Sequence, residues 1–331
     1  MPYRPGMNRR RLLVISVAAA LATPRAAAAQ TAGRTPTIGV LTTTRMTEPL
    51  REAVRNGLRE HGYVDGQNIA IEWRAADGRG DRAAAFATEL VALKVDVLVV
   101  VLTPAAQAAK DATRTIPIVM APAGDPVASG FVASLARPGR NMTGVTGIGA
   151  ELSGKQLEAL RQLVPTLTRV ALLINPAGDA FSKALTAQTQ AAAKSSGVNV
   201  HVVSVPTAEA LERAFATMAE HQDEGVIVQG PVFTPSFGRI AQLGLRHRLP
   251  LVSAPREFAE AGGLLAYGAN QLDLTRRAMF HVARILRGAK PADLPVEQPT
   301  KFELIINLRT ARTLGLTIPP VLLARADQLI E

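Results

Sequence analysis

The sequence has no cysteine, which excludes disulfides, thiol nucleophiles and a lipid-anchored cysteine behind an export signal. Aromatic residues make up only 4%, with a single tryptophan, too few to build a stacking track for nucleic acid. The five histidines (His61, His201, His221, His247 and His281) are scattered, with no pair at metal-ligand spacing. The expectation is therefore no metal site. There is no Gly-x-Ser-x-Gly elbow, and no pair of acids stands out for acid/base work, since Asp223-Glu224 reads as a solvated turn ahead of a strand. Missing motifs shift the reading from catalysis toward binding: no enzyme and no cofactor.

What is present fits a two-lobed α/β chain. A length of 331 residues with 47% hydrophobic and 19% charged residues is too long for one ordinary core and suits two. The first 29 residues read as an export signal. Arg9-Arg10-Arg11 precedes the apolar run Leu12 to Ala22, and Ala27-Ala28-Ala29 offers a cleavage site before Gln30. The arginines suit the twin-arginine or the general route. The apolar run is too short for a comfortable membrane span, and Pro24 and Arg25 follow it. Residues 1–29 carry five arginines and no acid, so their removal would lower the net charge from +10 to +5. Such a mild excess is solvated surface with no basic block for phosphates, and no nucleic-acid partner is expected.

From Pro36 the chain alternates strand and helix. Val95 to Leu102 is almost wholly apolar, as in a parallel strand covered on both faces. The rhythm breaks in a Gly- and Pro-rich passage from Met120 to Gly147 and restarts at the helix Glu151 to Leu163. It breaks again at 262–270 and 291–300. The fold expected is two doubly wound parallel-sheet lobes joined by a three-segment hinge, a clamshell. Lobe 1 would hold 36–145 plus about 270–295, and lobe 2 146–268 plus about 300–331. Asn141 to Gly147 is expected to be the first crossing segment.

Open α/β sheets bind ligands beyond the carboxyl ends of their strands. The polar residues there are Thr42 and Thr43 after the first strand, then Thr103-Pro104-Ala105, with Thr103 as expected N-cap of a helix whose free N–H groups suit a carboxylate. Asp125, in a Gly-Asp-Pro turn, could answer an ammonium. Asn175, Gln229, Pro255 and Tyr267 hold the equivalent places in the second half, with Phe181, Phe233 and Phe258 as further aromatic candidates. Turn or capping duty is the competing reading of each. Gly149 to Gln156 nearly matches a phosphate loop, but Gln156 replaces the metal-binding hydroxyl and Glu151 adds negative charge inside the would-be nest.

The segments "IPIVMAPAGDPVASGFVASLARPGRNMTGVTG", "REFAEAGGLLAYGAN", "ILRGAKPADLPVEQPTKFELIINLRTARTLGLTIPP" and "ARADQLIE" resemble the ABC-transporter substrate-binding proteins of the tryptophan/tyrosine-binding type, from about Pro36 onward. The resemblance implies a periplasmic-binding-protein fold of the leucine/isoleucine/valine-binding type. It also implies delivery of a small solute, an amino acid or related polar acid, to the permease and ATPase subunits of an importer. It suggests that Thr103, Asp125, Asn175 and Tyr267 line the cleft. A periplasmic monomer is expected. The rivals are a two-lobed glycosyltransferase-like enzyme, which would need a nucleotide donor, and another ligand sensor such as a regulator's effector core, which would need a DNA-binding segment where the export signal stands.

Overall fold

The computed structural model describes residues 34–147, 152–175 and 180–331. The export-signal reading, Gly149–Glu151 of the phosphate-loop near-match, and Pro176 beside Asn175 lie outside these residues. Two sheets organise the rest. The first is wholly parallel, with β1 (Thr37–Thr42), β2 (Ala70–Ala75), β3 (Val97–Val101), β4 (Ile118–Ala123) and β5 (Met142–Thr146) in the order β2-β1-β3-β4-β5. The second holds β6 (Arg169–Ile174), β7 (Asn199–Ser204), β8 (Val226–Val228), β9 (Leu251–Ser253), β10 (Leu265–Gly268), β11 (Glu303–Asn307) and β12 (Gln328–Ile330). Its order is β12-β11-β10-β9-β8-β6-β7, so the stretch β7-β6-β8-β9-β10 repeats the order of the first sheet. Strand β11 then runs antiparallel to β10. The expected pair of doubly wound lobes is present.

Burial on both faces explains the apolar strands. All five residues of β3 are buried. Helices α1 (Glu48–Arg59) and α9 (Gln271–Leu286) cover one face of the first sheet, and α2 (Gly80–Ala92) and α3 (Thr103–Ala112) the other. On the second sheet, α4 (Ser153–Leu163), α5 (Ala180–Ser195) and α10 (Leu308–Leu314) take one face. Helices α6 (Leu211–Glu220), α7 (Phe237–Arg246) and α8 (Arg256–Glu260) take the opposite one. Phe233 and Phe258, expected near the cleft, are instead buried in this last core, where Phe258 meets Phe237 edge to face at 5.1 Å. Apolar side chains at the foot of α7 and α8 have more to gain from that core than from a polar rim.

Helix α9 returns to the first lobe, where 270–295 was expected. It follows β10 of the second sheet yet packs against α1 and the first sheet. The approach is so close that a Cβ on Gly57 would lie 2.2 Å from the carbonyl oxygen of Arg276. Thr275 of α9 donates its hydroxyl to the carbonyl of Ala121 in β4 at 3.1 Å.

Two expected boundaries move. Asn141 to Gly147 is not a crossing segment: Met142–Thr146 is the edge strand β5, wholly buried and paired with β4. A parallel ladder satisfies its backbone groups better than a free linker could, and the chain leaves the first sheet only from Gly147 on. Likewise, 265–268 is a strand inside the second sheet, so that crossing narrows to Ala269 and Asn270 ahead of α9. The third passage pairs with the first sheet through Glu297, which exchanges backbone bonds with Gly144 and Thr146 at 2.9 and 2.8 Å, before the chain enters β11.

Candidate functional site

In each sheet the strand order reverses direction at one place, between β1 and β3 in the first and between β6 and β8 in the second. Crossovers leave those neighbouring strands on opposite faces and open a crevice at their carboxyl ends. Thr42–Thr43 and Thr103 occupy the first switch point, because Thr42 pairs with Val101. Asn175 and Gln229 occupy the second, where Leu173 pairs with Val228.

At the first switch point the polar groups accept from backbone N–H groups of nearby turns. Thr42 is buried, and its hydroxyl oxygen accepts the Thr44 N–H at 3.2 Å. The Thr43 carbonyl accepts the Gly78 N–H at 2.7 Å. Thr103 is not the N-cap that the sequence suggests. Leu102 takes that place with φ of 75°, a left-handed conformation that leucine adopts at a cost, and Thr103 becomes the first helical residue. Its hydroxyl is thereby turned outward to accept the Gly124 N–H at 2.9 Å. The first helical bond of α3 runs from Ala106 N–H to the Leu102 carbonyl. The N–H groups of Thr103 and Ala105 therefore belong to the first turn, which lacks intrahelical acceptors. Pro104 is exposed at that turn, while the Ala105 methyl is buried in the core.

Asp125 follows Gly124 and is exposed. Its Oδ1 accepts the N–H groups of Val127 and Ala128 at 3.0 and 2.9 Å, so one oxygen has the turn duty. The second oxygen takes no part in that turn. Phe181, from α5 of the second lobe, reaches this place: a Cβ on Gly124 would stand 2.8 Å from Phe181 Cδ2 and 3.0 Å from Thr103 Oγ1. Thr103, the Gly124-Asp125 turn and Phe181 thus form one group drawn from both lobes.

The second switch point is linked through side chains. Gln229 is buried; its Oε1 accepts the Asn175 N–H at 2.7 Å and its Nε2 donates to Ser182 Oγ at 2.9 Å. Ser182 was not legible as a site residue, although it adjoins Phe181. A hollow of about 380 Å³ opens beside it, bordered by Ile174, Asn175, Ser182, Lys183, Thr186 and Ser204. Pro255 caps the start of α8 and is buried against Gly230. Tyr267 is half-buried, its ring 6.4 Å from that of Phe302, and its carbonyl accepts from Gln156 Nε2 at 3.1 Å. Tyr267 and Phe181 pack against the same core of the second lobe.

One further acid sits at these strand ends. Glu257, in the first turn of α8 after β9, is half-buried, and burial pushes its carboxyl above the usual range. Arg256 opposes that shift, but its guanidinium is shared among Glu260, Glu303 and Gln328. Nothing in "PREFAE" separates Glu257 from an ordinary helical surface acid. Only the topology gives it a place.

Comparison with known proteins agrees with this fold. Residues 38–330 match the family described as ABC transporter substrate binding protein. The chain is 27% identical over 260 residues to a tyrosine-binding protein of Clostridioides difficile, covering 78% of this chain and 74% of that one. Among solved structures, an ABC domain from Streptococcus pneumonia in complex with L-Trp superposes with a TM-score of 0.84 at 28% identity, over 90% of this chain and all of that chain. A conserved domain protein from Vibrio cholerae gives the same TM-score at 26% identity over 89% of this chain. Two like-ordered, mostly parallel sheets linked by three crossings are the architecture of a type I periplasmic binding protein, and the chain belongs to the ABC transporter substrate-binding proteins, the solute receptors of ABC importers.

Proposed function

We propose that the solute is an α-amino acid, held between the lobes at the Thr103–Gly124–Phe181 group. The observation that carries this is the meeting, at one place, of the first-turn N–H groups of α3, an exposed carboxylate and an aromatic ring from the opposite lobe. Helix N–H groups suit the solute's carboxylate. The oxygen of Asp125 left out of the turn suits its ammonium. Phe181 covers the side chain. Thr42 and Thr43 flank the carboxylate end, while Asn175 and Gln229 shape the second wall, with Pro255 and Tyr267 at its far side. The L-Trp complex of one neighbour and the name of the tyrosine-binding relative support the amino-acid class.

On this reading the moving bodies are 36–145 with about 270–295, and 146–268 with about 300–331. The chain is a carrier rather than a catalyst, working as a monomer with the permease and ATPase of its importer. The arginine-led segment ending near Ala29 directs it to the periplasm and is then removed. No helix among the described residues is long and apolar enough to cross a membrane. A thermal-shift screen across L-amino acids, sugars and aromatic acids tests the reading. An amino acid present at a hundred times its dissociation constant should add about 2.7 kcal/mol of stability. Stabilisation by sugars alone would overturn it.

A further inference from the structure

Two of the five histidines do not stay scattered. His201 lies in β7, the edge strand of the second sheet, and His221 follows the last turn of α6. Alternation along β7 decides which way His201 faces. Val203 packs into the core under α6, while Val200 packs against the opposite core under α5. An odd-numbered position such as 201 is therefore turned toward α6, and His221 is brought to it. The two rings lie 4.1 Å apart between centroids.

Between them stands Asp223, whose side chain is fully buried. His201 Nδ1 lies 2.7 Å from its Oδ2 and His221 Nδ1 lies 2.9 Å from its Oδ1. Ligand atoms of all three residues fall within 4.8 Å of one another. Nearby charges are engaged elsewhere. Arg169 donates to the carbonyl and Oε1 of Gln222 at 2.9 and 3.2 Å, and Glu224 accepts the N–H groups of Thr168 and Arg169. Arg213 borders a neighbouring hollow with His201.

We propose that His201, His221 and Asp223 form a binding site for one divalent transition metal of the zinc class. Two imidazole nitrogens with one carboxylate oxygen are a donor set that suits Zn²⁺, and three protein ligands leave a fourth position for water. Metal bonds of about 2.1 Å in tetrahedral array require ligand atoms about 3.4 Å apart. The two His–Asp separations, 2.7 and 2.9 Å, must open by roughly half to three-quarters of an ångström, and ligand atoms now up to 4.8 Å apart must draw in, which imidazole rings can supply by rotating. An ion would enter from solvent on the His221 side, where that side chain is 47% exposed. The carbonyl end of α6 adds negative potential at the same place. Metal on Nδ1 requires each ring proton to sit on Nε2. The ion therefore replaces two N–H···O bonds by two N–metal bonds and one O–metal bond, and acid weakens it by protonating the rings. Because Asp223 precedes β8 and His201 is near the start of β7, the site lies toward the amino ends of these strands. The solute crevice is at their carboxyl ends, so the ion would pin β7 to the α6–β8 turn and leave solute recognition alone.

Titration calorimetry of the metal-free full chain, prepared without an oligohistidine tag, tests this with Zn²⁺ and with Co²⁺ as a spectroscopic probe. The expected result is one ion per chain at neutral pH and a Zn²⁺-dependent rise in Tm. His201→Asn and His221→Asn should each weaken binding more than about tenfold, and His247→Asn should not. Removing the half-exposed His221 ring leaves the fold intact, so that variant decides if His201→Asn does not fold. No ion bound to the wild-type chain, or equal binding in the His221→Asn and His247→Asn variants, would overturn the proposal.

Discussion

The two sheets share a strand order but secure their ligand-facing ends by different means. In the first lobe the polar side chains accept from backbone N–H groups: Thr42 from Thr44 and Asp125 from Val127 and Ala128 within their own turns, and Thr103 from Gly124 across the β3–α3 and β4 strand ends. In the second lobe the bonds run between side chains on separate elements, from Gln229 to Ser182 and from Arg256 and Asn270 to Glu303. Glu303 opens β11, just beyond the third crossing, and Asn270 lies in the second crossing. Bonds within one lobe's strand-end turns are expected to persist as the lobes move. A network that spans the crossing segments feels that movement. On the proposed reading the first lobe is expected to be the preformed half-site, and the second the half that answers closure.

The largest expected effect breaks the point where the halves meet. Gly124→Val places new atoms where a Cβ alone would stand 2.8 Å from Phe181 Cδ2. It should weaken solute binding on the order of a hundredfold, ~2.7 kcal/mol, and the same contact makes some loss of stability in the ligand-free chain expected as well. Unchanged affinity in calorimetry would show that Phe181 does not need to approach Gly124 in the bound form.

Next comes the second-lobe network. Gln229→Ala leaves the Asn175 N–H and the Ser182 hydroxyl without the partners they now have. The cost to stability should be about 1–3 kcal/mol, read as a lower urea midpoint with an unchanged slope. A midpoint equal to wild type would mean that water replaces Gln229 freely.

A smaller effect probes the first lobe. Asp125→Ala removes the turn bonds and should cost about 1 kcal/mol of stability, whereas Asp125→Asn keeps them. If the second carboxylate oxygen holds the solute's ammonium, both variants lose affinity by roughly ten- to a hundredfold. Normal affinity in both would move the ammonium's partner elsewhere, and Glu257 is the next acid along these strand ends.

The smallest is a pH effect at Glu257. Burial raises its folded pKa above the unfolded value, so between those two values the folded chain holds more proton than the unfolded one. Stability therefore falls as pH rises from the ordinary glutamate range through the raised folded value. Glu257→Gln should match wild type below that window and exceed it above. A Tm–pH curve identical for both proteins would contradict the assignment.

Much of the fold was legible because parallel strands covered on both faces leave unbroken apolar runs such as "VLVVV", and because glycine and proline mark the turns between them. The switch-point candidates followed from the same rule about strand ends. What was illegible depended on distant parts of the chain. Nothing in "NMTGVTG" distinguishes a hinge from an edge strand; its partner β4 and the backbone of Glu297 decide that. Thr103 was displaced from the cap by one residue because Leu102 adopts a positive φ, which leucine does not advertise. The meeting of His201 with His221 across 20 positions needs the register of β7 beside β6 and the end of α6, and no spacing rule contains that.

The central claim, that two lobes close on a solute held between their strand ends, is tested most directly by one distance. The chain has no cysteine of its own, so Ala128→Cys with Lys183→Cys, both at exposed positions in different lobes, gives a single spin-label pair. Pulsed dipolar spectroscopy with and without a saturating amino acid identified in the thermal screen should show the distance shorten and its distribution narrow. Identical distributions in the two states would contradict closure.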